Sequence, residues 1–261
     1  MEAGVNMART ARPEAHIALL IDADNSPAAK IDVILTELST FGVTNVRRAY
    51  GNWKKSELKG WEEKLHEHAI RPMQQFDYSR GKNASDMAMV IDALELLYTD
   101  RPDAFGIVSS DADFTPLVMH LRAKGAAVYG FGAQKTPEPF VNACSRFLYL
   151  DQLGGEAAAE SSDVAPVAPL RMSTVQLKHD AKLVTLLRNA VQAAADESGW
   201  ARVDAVGQQI GNQASFDSRN YGYSTLSKLL VATQLFDFAN EGTSHAAVRD
   251  KRQAKGTHKG G

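Results

Sequence analysis

Apolar positions in the first 150 residues alternate between two spacings. Residues 16–21 (HIALLI) form a short apolar run that stops at polar Asp22, which predicts a buried strand. Over 30–41 the apolar residues Ile31, Ile34, Leu35 and Leu38 recur at helical spacing. The exchange repeats down the chain. It predicts a strand over 44–50, a helix over 54–68 and a strand over 70–76. A helix follows from 86 to about 98, with Ser85 as N-cap and Ile91, Leu94 and Tyr98 on one face. A strand over 104–109, a helix over 114–124, and short strands over 128–131 and 147–150 close the series. Such alternation predicts an α/β fold, a mostly parallel sheet covered by helices. In these folds functional residues sit just beyond the carboxyl ends of the strands.

Beyond residue 153 the pattern changes. Residues 154–172 (GGEAAAESSDVAPVAPLRM) hold no aromatic residue but five alanines, two prolines and two glycines. That composition reads as a flexible linker. Helices are then predicted over 175–195, 201–213 and 223–234. Their apolar stripes are Leu183, Leu186, Leu187, Ala190 and Val191; Val203, Val206 and Ile210; and Leu226, Leu229 and Leu230. The turn at Gly199–Trp200 is expected to pack its ring on the first helix, and a short hairpin is expected near 235–243. A small winged-helix-like C-terminal domain fits this arrangement. The expected organisation is a first domain over 15–153, a linker over 154–172, a second domain over 173–242 and a basic tail over 243–261.

Composition narrows the picture without redirecting it. Hydrophobic residues make up 44% and charged residues 23% of the 261, ordinary values that exclude wholesale disorder. The single cysteine, Cys144, excludes an intrachain disulfide framework and any cysteine-rich zinc module. It fits a reducing, cytoplasmic setting. No run of about 18 apolar residues is present, so no membrane-spanning helix is expected. The first fifteen residues contain Arg9 and Arg12 but no apolar core, so no secretory signal is expected, and Met7 is an alternative start. The formal charge of −2 hides an asymmetry. Residues 1–172 carry 18 basic and 23 acidic groups, a balance of −5, and residues 173–261 carry 11 and 8, a balance of +3.

Part of the acidic excess falls at informative places. Asp22 and Asp24 follow the first strand (LLIDADNS), Asp86 opens a helix (NASDMAMVIDAL), and Asp111 and Asp113 follow the strand over 104–109 (VSSDADF). A lone aspartate after a strand is usually a cap or turn former, and Asp86 alone would favour its helix dipole. Two Asp-x-Asp clusters ending buried strands of one sheet are harder to explain in that way. Gathered carboxylates repel unless a cation neutralises them. Mg²⁺ and Mn²⁺ suit such oxygen ligands, and a metal so held supports phosphoryl transfer or phosphodiester hydrolysis. Asp92 lies off the Asp86 face and is expected to be solvated or paired. Glu62, Glu63 and Glu67 read as solvated helix charges.

Other chemistries find less support. His66 and His68 diverge on a helix. Cys144 has Arg146 as its near basic neighbour and reads as a buried thiol. GFGAQ lacks a dinucleotide-loop pattern. DADNS superficially matches the nucleophile motif of haloacid dehalogenase phosphatases, but Ser26 stands where that family has Thr or Val.

The series IDADN, GKNASDMAMVIDAL and IVSSDADFTPLVMHLRAKGAAVYGFG resembles the NYN domain in its LabA-like branch, part of the PIN-like nuclease superfamily. The resemblance implies a PIN-like doubly wound sheet and a metal-dependent ribonuclease site. It makes Asp22 the first-strand acid with Asn25 as its polar companion, Asp86 the helix-start acid, and Asp111 and Asp113 the last-strand acids. Ser109 and Ser110 prepare the turn, Phe114 packs, and Asp24 is a supporting acid. Lys82, with Arg80, Lys54 and Lys55, flanks this edge in sequence, as phosphate contacts or as solvated loop charge.

Downstream, FDSRNYGYSTLSKLL after Gly199–Trp200 resembles the OST-HTH (LOTUS) domain over about 175–240. That resemblance implies a winged-helix-like module associated with RNA, and in some members with protein partners. Arg219, Tyr221, Tyr223 and Lys228 interleave cations with rings, a pattern suited to RNA, or else the tyrosines pack the module. The basic tail would add salt-dependent attraction to nucleic acid. The leading expectation is a cytoplasmic Mg²⁺- or Mn²⁺-dependent endoribonuclease with an RNA-holding module. Asp22, Asp86, Asp111 and Asp113 would be its metal ligands and catalytic groups. The alternative is a non-catalytic RNA-binding or regulatory adaptor.

Overall fold

The computed structural model describes residues 14–76, 84–153, 171–243 and 245–254. The expected leader, the linker up to residue 170 and the end of the basic tail lie outside them.

The first domain is a six-stranded sheet. Its strands are β1 (His16–Asp22), β2 (Val43–Gly51), β3 (Arg71–Gln74), β4 (Ala104–Val108), β5 (Ala127–Gly132) and β6 (Arg146–Tyr149). The order is β3-β2-β1-β4-β5-β6, and every neighbouring pair is parallel. Five helices connect them: α1 (Ile31–Ser39), α2 (Lys59–Glu67), α3 (Ala84–Thr99), α4 (Thr115–Ala123) and α5 (Glu138–Ala143). The α/β prediction holds, including the doubly wound sheet.

The pleat explains why β1 is apolar throughout. Ile17, Leu19 and Ile21 face one cluster with α1 and α2 residues such as Ile34, Leu38 and Trp61. Ala18 and Leu20 face the other cluster, with Met89, Leu96, Val118 and Phe140 of α3, α4 and α5. A parallel strand buried on both faces needs this run, not an alternating pattern. After β1 the chain winds outward to β2 and β3, then crosses to β4 on the other side. The switch point of the sheet therefore lies between β1 and β4, where such folds place their ligands.

The second domain contains α6 (Thr174–His179), α7 (Ala181–Ala194), α8 (Val203–Gln213) and α9 (Leu226–Thr233). A small antiparallel sheet covers them in the order β7-β9-β8, made of β7 (Ala201–Arg202), β8 (Phe236–Ala239) and β9 (Ala247–Asp250). A short α10 (Lys251–Ala254) follows. This is a winged-helix-like module with a core of Leu183, Leu187, Val206, Ile210, Leu229, Leu230 and Val248.

Several local expectations need correction. The helix expected over 175–195 is two helices. Asp180 has an extended backbone, ends α6, and caps α7 by accepting the Leu183 N–H at 2.9 Å. Ser85 lies inside α3 and does not precede it. Neither α5 nor β7 is visible in the hydrophobic pattern. β9 falls within 243–261, so the expected tail starts later than residue 243. Val248 brings the missing strand into the module's core with no exposed surface. Trp200 shows its contact with β9, where the Arg249 guanidinium lies 4.7 Å above its ring. No helix among the described residues is long and apolar enough to cross a membrane.

Candidate active site

Asp22 is the last residue of β1 and is 1% exposed. The pairing of Ile21 with Val108 sets it beside Ser109, just past β4. Ser109 donates its hydroxyl to the Asp22 carboxylate at 2.9 Å and accepts the Asp111 N–H at 3.1 Å. One buried serine thus ties the first acidic cluster to the last. The Asn25 side-chain amide reaches both Asp22 oxygens, at 3.3 and 3.1 Å. The turn carrying Asn25 is pinned by Ser26, which donates to the Val108 carbonyl at 3.3 Å. The Trp61 indole donates to the Ser26 carbonyl at 3.2 Å. Burial pushes the Asp22 carboxyl above its usual range, against the opposing hydrogen bonds from Asn25 and Ser109.

Asp111 caps the turn after β4, accepting the Asp113 N–H at 2.9 Å. Ser110 accepts the Ala133 N–H at 2.8 Å and anchors the same turn to the end of β5. Phe114 is buried, as its packing role requires. Asp86 sits in the first turn of α3 and is pushed up to about 6. Burial is the main cause, followed by the negative charges of Asp22, Asp111, Asp24 and Asp113. All four of these charges therefore act on Asp86. Asp24 takes the Lys55 ammonium at 3.3 Å and the Ser85 hydroxyl at 3.1 Å, which fastens the start of α3 to the end of β1.

The remaining expected contacts divide. Lys82 and Arg80 lie outside the described residues. Lys54 rests over the Phe76 ring at 5.0 Å. Arg219 is bound on both sides by carboxylates, Asp217 of its own module and Glu37 of α1. These partners hold its guanidinium well above its ordinary value, Asp217 first. Tyr221 stacks on Phe216 with centroids 5.8 Å apart, and burial pushes its phenol up to about 12. Tyr223 is 9% exposed and donates to the Met172 carbonyl at 2.7 Å. Three of the four residues of the second domain expected to face RNA are therefore engaged inside the protein. Lys228 is exposed and donates to Ser224 at 2.9 Å. The Cys144 thiol is buried and pushed up to about 12, which suits packing and not nucleophilic attack.

A second acidic group lies away from the strand ends. Asp32 of α1 and Glu67 and His68 at the end of α2 bring ligating atoms within 4.8 Å of one another, a composition consistent with a divalent metal. Both carboxylates are exposed. The Lys64 ammonium already bridges them, at 3.2 Å from Asp32 and 2.8 Å from Glu67. No sequence signal links Asp32 to the other two, because helix packing joins them. Of the strand-edge aspartates, Asp22 is buried at the switch point, Asp24, Asp86 and Asp111 are half-buried and Asp113 is exposed, and Lys55 offsets the charge of Asp24.

The NYN domain family matches residues 16–151, the whole of the parallel sheet. The chain belongs to this family. The OST-HTH/LOTUS domain matches residues 176–245, so the PIN-like NYN domain is followed by a LOTUS domain. An uncharacterized protein of Methanocaldococcus jannaschii is 32% identical over 131 residues, 49% of this chain and 51% of that protein. The chain thus spans about half the length of this curated relative. A crystal structure of a protein of unknown function from Vibrio parahaemolyticus aligns with a TM-score of 0.44 at 18% identity. That alignment covers 54% of this chain and 95% of the other.

Proposed function

We propose that the NYN domain is a divalent-metal-dependent endoribonuclease and that the LOTUS domain holds its RNA. The observation that carries this reading is the burial of Asp22 at the switch point, joined through Ser109 to Asp111, with its charge acting on Asp86. Five carboxylates are gathered where a cation and a phosphodiester would complete the charge balance.

Asp22, Asp86, Asp111 and Asp113 would hold Mg²⁺ or Mn²⁺. When bound, such an ion supplies the positive charge that polarises a phosphodiester and eases deprotonation of water. The protein's own contribution is positioning. Asn25 and Ser109 fix both oxygens of Asp22 and offset the burial that favours its neutral form. Asp111 is oriented by its cap to the Asp113 amide. Lys55 neutralises Asp24, which leaves Asp24 in a supporting role. Lys228 is exposed on α9 and would be the LOTUS residue of the expected set to meet phosphate.

The test is cleavage of a labelled single-stranded RNA with Mn²⁺, with chelator, and by Asp22→Asn and Asp111→Asn. Cleavage should require Mn²⁺ and fall at least about 100-fold in either variant, the scale of losing a positioned electrostatic group. Asp32→Asn should leave it unchanged, because Lys64 occupies that carboxylate. Cleavage that survives both chelator and Asp111→Asn rejects the mechanism. RNA bound but never cut under any divalent metal supports the adaptor reading instead.

A further inference from the structure

The segment between α8 and α9 that carries Arg219 and Asn220 faces the NYN domain. Asn220 donates its side-chain N–H to the Phe147 carbonyl at 2.9 Å and accepts the Tyr149 N–H at 3.1 Å. Phe147 and Tyr149 belong to β6, the edge strand of the sheet, and are two residues apart. A carbonyl at one position and an N–H two positions on are what a neighbouring parallel strand would engage. The Asn220 amide therefore takes the place of the N–H and C=O of one residue of a seventh strand and closes part of the open edge.

The adjacent residue adds an ion-pair network across the same boundary. Arg219 forks onto Glu37 in the last turn of α1, with its second nitrogen 2.6 Å from one oxygen. Glu37 is 8% exposed and Asp217 is 4% exposed. Asp217 accepts from Arg219 Nε at 2.9 Å and from its Nη2 at 2.8 Å, so the guanidinium is oriented before it meets Glu37. Asp217 also lies 3.4 Å from Arg146, the first residue of β6, whose guanidinium rests 5.3 Å from the Phe41 ring. Two arginines and two carboxylates, one of each from each domain, form a closed neutral set. Desolvation offsets much of the attraction within such a half-buried set, so its contribution to net stability is small.

We infer that residues 217–220 are an interdomain clamp which docks the LOTUS module on the β6 edge in one orientation. Arg219 and Asn220 are its positioning residues, not RNA contacts. The surface of the NYN domain made by Glu37, Arg146 and the outer edge of β6 is built for this segment of the same chain. The inference does not depend on whether the aspartate edge cleaves RNA.

The test is rotational diffusion of the full chain by backbone ¹⁵N relaxation. In the unaltered protein, amides of both domains should share one correlation time. In Glu37→Gln combined with Asn220→Ala, two shorter and different correlation times should replace it, with the spectra of both domains retained. Should Asn220→Ala disturb the module's own fold, Glu37→Gln with Arg146→Gln releases the clamp from the other side. Two independent correlation times in the unaltered protein overturn the inference, as does a single one in the released variants. A second arm uses a mixed-sequence single-stranded RNA. Glu37→Gln and Arg219→Gln should move its affinity in the same direction. Tighter binding by the first and weaker binding by the second would mean that Arg219 is a phosphate contact held by Glu37, and would overturn the clamp.

Discussion

Two buried aspartates in the NYN domain have opposite neighbourhoods. Asp92 meets the Arg48 guanidinium and the Tyr50 hydroxyl, both from β2. Burial first, then the hydrogen bond to Asp92 and its charge, hold the Tyr50 phenol far above its ordinary value. This aspartate is paired and structural. Asp22 has hydrogen bonds from Asn25 and Ser109 but carboxylates for near charges. The first arrangement should matter to stability and the second to ligand binding. Asp92→Ala strands the Arg48 charge, and urea unfolding should show a loss of about 2–4 kcal/mol, the cost of breaking a largely buried pair. Mn²⁺ affinity of the folded fraction should not change. The pairing of Asp92 was among the outcomes expected from its position off the Asp86 face. Its partners were not, because Arg48 and Tyr50 lie on a strand more than forty residues away.

The turns after β1 and β4 are where the elements convert sequence into a site. Both are short, both are held by hydrogen bonds from their own side chains, and each packs against a strand end that carries a glycine, Gly51 of β2 or Gly132 of β5. A Cβ placed on Gly132, at the end of β5, would lie 2.7 Å from the Ser109 carbonyl and 2.7 Å from Thr136 Oγ1. The absence of a side chain there lets β5 close on the residue that holds Asp22. Gly132→Ala should therefore shift Ser109, costing about 1–3 kcal/mol in thermal or urea unfolding. It should weaken Mn²⁺ binding, although residue 132 bears no ligand. Unchanged Mn²⁺ affinity would detach Ser109 from the proposed role. Strand and helix periodicities were legible for most of the NYN domain because its core layers are long and apolar. The elements missed, α5, β7 and β9, are short. Too few residues sit in each for a period to appear, and their place depends on what they pack against.

At the level of the complete chain, the clamp and the aspartate edge sit at different parts of the NYN domain. α1 leads away from the end of β1, and Glu37 lies in its last turn. Releasing the clamp should then leave the metal site intact. Glu37→Gln should bind Mn²⁺ as the unaltered protein does by calorimetry, whereas Asp111→Asn should bind it weakly or not at all. Reduced Mn²⁺ affinity in Glu37→Gln would show that docking reaches the carboxyl edge. The charge asymmetry also gains a place in the structure. The acidic balance of −5 belongs to the half that carries the five edge aspartates, and the balance of +3 to the half that carries the winged-helix module. Two of the module's charges, Asp217 and Arg219, are spent on joining the halves.

Periodicity alone was enough for the parallel α/β class, because strands buried on both faces must be apolar throughout. The same reasoning located the aspartates at strand ends, since a polar residue that ends such a run has to leave the sheet at its carboxyl edge. Strand order was not readable from the pattern, and with it went the knowledge that β1 and β4 are neighbours. That adjacency, fixed by the crossover after β3, is what joins Asp22 to Asp111 through Ser109. Nor could a local pattern tell that FDSRNYG faces inward. An arginine next to tyrosines looks the same in sequence whether its partner is a phosphate or a carboxylate. The choice was made by Glu37, which lies 182 residues away and meets Arg219 only once both domains have folded.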